Sequence, residues 1–556
     1  MAKTRPRIGD ILVEAGLLTR EQVEEALARS RGRRLGQVLV ESGLVSEEEI
    51  AQALSRQLGI PLIDLRRNPP DPRCVALVPE SLARAHHLVP VQLIDRSLFV
   101  ALADPTDVVG IDAVEKVTGL SVKPAVAPES EVTAAIQRSY GLYVHPDLVL
   151  GEMARREEVT SPAIHVVDFL LSHAVSHRAT DVHIEPEEEA VRVRYRIDGF
   201  LYTVTVLPKE VHAAVVSRLK VLSRLDIAEQ RLPQDGAFEM TIEGTALDIR
   251  VSTIPTVYGE RVALRLLDKH RQVLGLDQLG MRPAVREVYE RLIQRPYGLI
   301  LVSGPTGSGK TTTLASTMIR LNSGERNILT IEDPIEYRIR GVSQVQVNPD
   351  AGLDFATGLR SVLRHDPDIL MVGEIRDPET ARIATHAALA GTLVLATIHT
   401  NDAPTALLRL VQMGVPPYLI ASAVIGVLSQ RLVRLLCPSC KQPAAQPQDP
   451  LAWIERVVGE KPAPDEEIPP PHISLARGCR RCQFTGYLGR TGIFEILAMT
   501  PRIQELLLEG ASQKDIEAQA RAEGMRSMRL DGALKVLAGL TTLEEVRRVT
   551  DLGDVL

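Results

Sequence analysis

Apolar positions near the front of the chain recur at helical spacing, and they do so twice. The run Arg7-Ile8-Gly9-Asp10-Ile11-Leu12-Val13-Glu14-Ala15-Gly16-Leu17-Leu18 returns 27 residues later as Arg34-Leu35-Gly36-Gln37-Val38-Leu39-Val40-Glu41-Ser42-Gly43-Leu44-Val45. Each copy continues into an acidic stretch with helical apolar periodicity, Glu21 to Ala28 and Glu47 to Gln57. Thr19 and Ser46 stand where helix N-caps belong. Two units are too few for a solenoid, so the pattern predicts a small pseudo-symmetric helical module. From about 72 to 140, short strands such as Leu98–Leu102 alternate with helical segments, an α/β continuation of the same domain. Residues 143–160 carry Pro146, Gly151 and the run Arg155-Arg156-Glu157-Glu158, and read as a linker.

A helix from near Ala163 to about Arg178 opens the next domain, 161–268. Within it, Val191 to Asp198 alternates strictly, which predicts a strand with one apolar face and one face bearing Arg192, Arg194 and Arg196. By itself that second face is a solvated strand surface. The last domain, 269–556, contains the unbroken apolar run Leu299-Ile300-Leu301-Val302, as a buried parallel strand requires. Thr312 to Ile319 then runs without Pro or Gly, as a helix does. A proline-rich insertion at 441–471 and a helical tail after 500 complete the division.

Composition narrows the function without choosing it. Hydrophobic residues make up 45% and charged residues 24%, as in ordinary globular proteins. The net charge of −7 gives no basic balance for nucleic acid, and 3% aromatics leave few stacking platforms for single strands. No apolar window approaches the length of about 20 residues that spans a bilayer. The basic start, Met1 to Arg7, lacks an apolar signal core behind it, so a cytoplasmic location is expected.

The chemistry concentrates between that strand and that helix. Gly304-Pro305-Thr306-Gly307-Ser308-Gly309-Lys310-Thr311 fits the P-loop pattern G-x-x-x-x-G-K-[ST], with Thr312 following. Glycines let backbone N–H groups turn toward a phosphate, and the helix N-terminus adds partial positive charge. Lys310 is expected to reach the β- and γ-phosphates, and the Thr311 hydroxyl to bind Mg²⁺. Cysteines supply a second signal. Cys437-x-x-Cys440 and Cys479-x-x-Cys482 offer four thiolates in two knuckles, the set of a closed structural zinc site (module 437–482). The 38 intervening residues carry eight prolines and read as a looped-out insertion. Cys74 stands alone and reads as a small buried apolar residue.

Around the P-loop the sequence resembles the secretion ATPases of the type II and type IV pilus class. Ile328-Leu329-Thr330-Ile331-Glu332-Asp333-Pro334-Ile335-Glu336-Tyr337 is similar to their acidic box. Asp368 to Asp377 is similar to their Walker B strand, which ends in Gly373-Glu374. Gly391-Thr392-Leu393-Val394-Leu395-Ala396-Thr397-Ile398-His399-Thr400-Asn401-Asp402 resembles their histidine box, with Thr392 where the family usually has its first histidine. Thr180-Asp181-Val182-His183-Ile184-Glu185-Pro186 matches in the preceding domain.

The resemblance implies a multidomain α/β protein. A RecA-like P-loop ATPase core would follow an α/β domain, with a structural zinc module and an N-terminal, mainly helical and α/β domain. It implies ATP hydrolysis with Glu374 sharing Mg²⁺ with Thr311, Glu336 activating water, and His399 nearby. Arg250 and Arg265, then Arg261, would approach the nucleotide from the preceding domain, with Arg360 and Arg364 near a subunit interface. Zinc in this family goes with assembly ATPases. The tandem front motif resembles cyclic di-GMP-binding repeats, implying contacts from Arg7, Gly9, Arg34, Gly36 and Gln57. Ser30 occupies the place of Gln57 in the first copy. The expected protein is a homo-hexameric motor of pilus assembly or type II secretion. It would be attached peripherally to the cytoplasmic face of the inner membrane by a platform protein and a docking protein. The competing readings are a nucleic-acid-dependent RecA-like motor, which DNA-stimulated hydrolysis would mark, and a cyclic di-GMP-sensing regulator with weak ATPase activity.

Overall fold

In the computed structural model the described residues are 7–550, apart from 31–33, 43, 66, 141–143, 145, 147–148, 150–161, 269–272 and 463–465. The linker at 143–160 lies mostly outside them. Most of residues 1–266 form one compact unit and most of 267–556 a second.

At the front of the first unit the sequence repeat becomes two helix pairs, Ile8–Glu14 with Arg20–Ser30 and Leu35–Glu41 with Glu47–Leu58. Ser46 and Glu49 form a capping box, and Thr19 makes the same reciprocal bonds with Gln22. A Cβ on Gly9 would stand 2.7 Å from Val23, and one on Gly36 3.2 Å from Ile50. These glycine–partner pairs differ by the repeat length. The glycines therefore let the helices of each copy approach closely around Leu12 and Leu39. Behind them β1 (Leu88–Ile94), β2 (Ser97–Leu102) and β3 (Ser121–Val126) form a sheet, β1 antiparallel and β3 parallel to β2.

The rest of this unit is a six-stranded sheet of β4 (Asp181–Pro186), β5 (Ala190–Ile197), β6 (Phe200–Pro208), β7 (Gln234–Ile242), β8 (Thr245–Thr256) and β9 (Gly259–Asp268). Their order is β6-β5-β4-β9-β8-β7. Alternation holds along β5, where Val191, Val193, Tyr195 and Ile197 are buried and the arginines between them are not. The buried Tyr195 hydroxyl donates to the Leu170 carbonyl at 2.7 Å, so the helix Pro162–Ser176 covers the apolar face.

The second unit is built on β10 (Gly298–Ser303), β11 (Ile328–Glu332), β12 (Ser343–Gln346), β13 (Ile369–Val372), β14 (Leu393–Ile398) and β15 (Val424–Leu436). A two-stranded ribbon, β16 (Gln442–Pro443) and β17 (Ser474–Leu475), precedes the edge strand β18 (Tyr487–Ala498). The main sheet runs β12-β11-β13-β14-β10-β15-β18, parallel except for β18. Helices cover both faces, and the strand period divides their cores. Leu299 and Leu301 of β10 belong to one hydrophobic cluster, Ile300 and Val302 to another.

One expectation is corrected here. The insertion at 441–471 is not looped out. It contains the helix Pro450–Val458, whose Trp453 and Ile454 cluster with Leu530, Leu534 and Leu537 of the tail helix Met528–Leu537. The prolines punctuate a segment that still has an apolar helix face to bury.

Candidate active site

Ser303 ends β10, and the loop that follows turns at three glycines with positive φ: Gly304 (150°), Gly307 (78°) and Gly309 (91°). A Cβ at Gly304 would stand 2.4 Å from the Ser308 hydroxyl and 2.6 Å from the Gln430 carbonyl, so a side chain has no room there. The helix Lys310–Leu321 starts at once, with Thr311 in its first turn and the Thr312 hydroxyl sharing a 3.0 Å hydrogen bond with the Tyr337 hydroxyl. Lys310 is buried, and its ammonium donates to the carbonyls of Gly304 (2.7 Å) and Pro305 (3.0 Å). Burial brings it down to about 8, with Arg431 pulling the same way and Glu374 and Glu336 opposing.

Parallel strands deliver their following loops to one edge of a sheet, where ligands of such folds bind. Glu374 comes off the end of β13 and is buried. Its Oε2 meets the Arg376 guanidinium at 2.6 Å and His399 Nε2 at 3.5 Å. His399 follows β14, and burial chiefly keeps its imidazole below the ordinary range, helped by the nearby Lys310 charge. Glu336, in the loop after β11, is exposed. Glu332 is buried, accepts from the Thr330 hydroxyl (2.7 Å) and the Gln344 amide (2.9 Å), and is pushed upward by desolvation. Lys310, Glu374 and His399 therefore converge. Thr392 does not. It precedes β14 at the opposite edge of the sheet, roughly 20 Å of strand from His399.

In the first unit, Arg261 and Arg265 of β9 and Arg250 of β8 stand on the polar face of the six-stranded sheet. Arg265 pairs with Asp181 at 3.2 Å and Arg261 with Glu185 at 2.6 Å. The same two carboxylates take Arg196 (3.6 Å) and Arg194 (2.6 Å) from β5, while Arg192 takes Glu187 at 2.7 Å. The bare solvated face read from Val191–Asp198 is thus a cross-strand ladder of ion pairs. In the second unit Arg360 pairs with Glu379, and Arg364 donates to the Arg360 carbonyl at 2.8 Å.

The four cysteine sulfurs lie within 4.8 Å of one another, with Cys437 and Cys482 buried. The Sγ atoms of Cys479 and Cys482 are 3.8 Å apart, the edge of a sulfur tetrahedron with metal–sulfur bonds of about 2.3 Å. The donor set fits zinc. At the front of the chain Arg7 and Arg34 occupy equivalent places before their helices, and Arg34 pairs with Asp104. Gln57 lies in the helix Glu47–Leu58.

Other residues of the site carried no assigned role in the sequence. Glu332, Tyr337 and Arg376 sit inside the recognised boxes. Gln430 and Arg431 sit in none, and their only signal is a polar Ser-Gln-Arg triplet interrupting the apolar strand β15.

The model of the type II/IV secretion system protein family matches residues 156–548. The chain belongs to this family. With the phosphate cradle, that membership makes it a secretion ATPase. It is 40% identical, over 97% of its length and 98% of the relative's, to the type IV pilus assembly ATPase PilB of Myxococcus xanthus. It is 42% identical, over 89% of each chain, to the type II secretion system protein E of Xanthomonas campestris. The X-ray structure of the Legionella pneumophila ATPase DotB shares the fold, with a TM-score of 0.52 at 20% identity over 74% of this chain and 99% of that one. The MshEN domain model matches residues 58–143, which takes in β1–β3 of the secretion ATPase and leaves the tandem front motif before it. Among the described residues no helix is long and apolar enough to cross a membrane.

Proposed function

We propose that this ATPase is the motor of a type IV pilus-assembly or type II secretion machine, binding MgATP at Gly304–Thr311 and turning its hydrolysis into mechanical work. The observation that carries the reading is the convergence of buried Lys310, buried Glu374 and exposed His399 on one edge of the parallel sheet, with Glu336 close enough to act on the Lys310 ammonium. In this reading Lys310 leaves the Gly304 and Pro305 carbonyls to grip the β- and γ-phosphates. Thr311 and Glu374 would hold Mg²⁺, which would neutralise phosphate charge. Exposed Glu336 orients the attacking water, and His399 holds the Glu374 carboxylate. Arg250, Arg261 and Arg265 meet the developing charge from the domain before the core.

The relatives' names support a place in a pilus-assembly or secretion machine, and in this reading the enzyme works at the cytoplasmic face of the inner membrane with a platform protein and a docking protein as partners. The enzyme would act as a homo-hexamer, without nucleic acid. Zn²⁺ on Cys437, Cys440, Cys479 and Cys482 would be structural. Cyclic di-GMP would bind through Arg7, Arg34 and Gln57, with Gly9 and Gly36 acting through the helix packing they permit.

A steady-state ATPase assay tests the core of this reading. Lys310→Ala and Glu374→Ala are each expected to lower turnover about 10³-fold or more. Near-normal turnover in either variant would sink the assignment. Co-purification with the platform protein of one machine would name which of the two it serves.

A further inference from the structure

Gln430 and Arg431 are neighbours on β15, one step beyond the pairing of Ser303 with Ser429, where β10 gives way to the phosphate loop. Strand alternation sends their side chains to opposite faces. Gln430 is buried. Its amide nitrogen donates to the Ser308 carbonyl at 2.8 Å, and its amide oxygen accepts from the Thr313 hydroxyl at 2.9 Å. Its own carbonyl is the one that forbids a side chain at Gly304. The loop is thus held at its start, at its middle and at the first turn of the helix.

Arg431 faces the other way and is also buried. Its Nη1 donates to the Gln430 carbonyl at 3.1 Å, and its Nη2 donates to the Asn401 carbonyl at 2.8 Å and to Asn401 Oδ1 at 3.3 Å. All three acceptors are neutral, and among the described residues Nε has no hydrogen-bond partner. Burying a guanidinium is costly, and the carboxylates of Glu495 and Asp402 lie near enough to offset part of that cost without bonding to it. Asn401 lies two residues past His399, the imidazole against Glu374.

We propose that Gln430 and Arg431 are positioning residues for hydrolysis. Gln430 fixes the phosphate loop, and Arg431 ties that loop to the turn carrying His399, so that a terminal phosphate gripped by Lys310 is registered at Glu374. The inference rests on the reading of Gly304–Thr311 as an ATP site. It predicts that the pair matters more for ATP turnover than for holding ADP.

The test compares Arg431→Gln, Arg431→Lys and Gln430→Met with the parent enzyme, with melting temperatures taken alongside. Arg431→Gln is expected to lower kcat about tenfold or more, the scale of a lost charged hydrogen bond. The Kd for ADP should stay within about threefold, the signature of an interaction used in the transition state. Arg431→Lys keeps the charge without the planar fork and should recover part of kcat. Gln430→Met, which removes both amide bonds at similar volume, should show the same split.

The split between kcat and the ADP Kd, with partial recovery in Arg431→Lys, is a readout that packing damage would not produce. Equal losses of ATP and ADP binding overturn the inference, and so does an unchanged kcat. Lys310→Ala separates the two levels. Hydrolysis persisting there would remove the ATP site itself, whereas an inactive Lys310→Ala beside a normal Arg431→Gln removes only the positioning role.

Discussion

The charged face of the first unit and the phosphate cradle of the second hold their cations in opposite ways. On the six-stranded sheet, Arg261 and Arg265 are substantially exposed and share Glu185 and Asp181 with Arg194 and Arg196. In the cradle, Lys310 and Arg431 are buried and bond to neutral carbonyls. Exposed pairs are worth little, so an arginine there gives up one carboxylate for another anion at small cost. Buried cations have no such freedom. Their positions are set before any nucleotide arrives, and the cost of burying them is offset in part by nearby carboxylates, Glu374 for Lys310 and Glu495 and Asp402 for Arg431. The difference suits two jobs: charge that can change its partner, and charge that waits in place.

That contrast breaks if the exposed arginines prove to be surface decoration. Arg265→Ala is expected to lower kcat about 10³-fold, in the range of a delivered arginine, with an unchanged melting temperature. A wild-type rate would reduce it to one of several interchangeable surface pairs. The cradle's fixity rests on a sheet buried on both faces, so Leu301→Ala, at the centre of β10, should cost about 3 kcal/mol in urea denaturation. Glu187→Ala, which frees Arg192 on the ladder, should cost under about 1 kcal/mol by the same measurement. Comparable losses from these two substitutions would show that the ladder carries as much of the fold as the core does.

The helices and strands that position the site were legible because their signals are local. Leu299–Val302 announces a strand buried on both faces, Ser46 with Glu49 a capped helix, and the alternation from Val191 a strand with two unlike faces. The P-loop was legible because its chemistry is local too: glycines, lysine and threonine act within eight consecutive residues. The proline-rich insertion misled because its prolines are dense in sequence, while the apolar face of Trp453 and Ile454 finds its partners about eighty residues away.

Sequence alone thus determined the phosphate loop, the paired cysteines and the family boxes, since each is written in adjacent residues. Tertiary structure decided what those residues meet. It put Thr392 at the far edge of the sheet from His399, because strand ends separate residues only a few positions apart. It turned Gly9 and Gly36 toward Val23 and Ile50, because helices crossing closely leave no space for a Cβ. And it set Gln430 and Arg431 behind the loop that opens at Gly304, because β15 pairs with β10 across more than a hundred residues of chain.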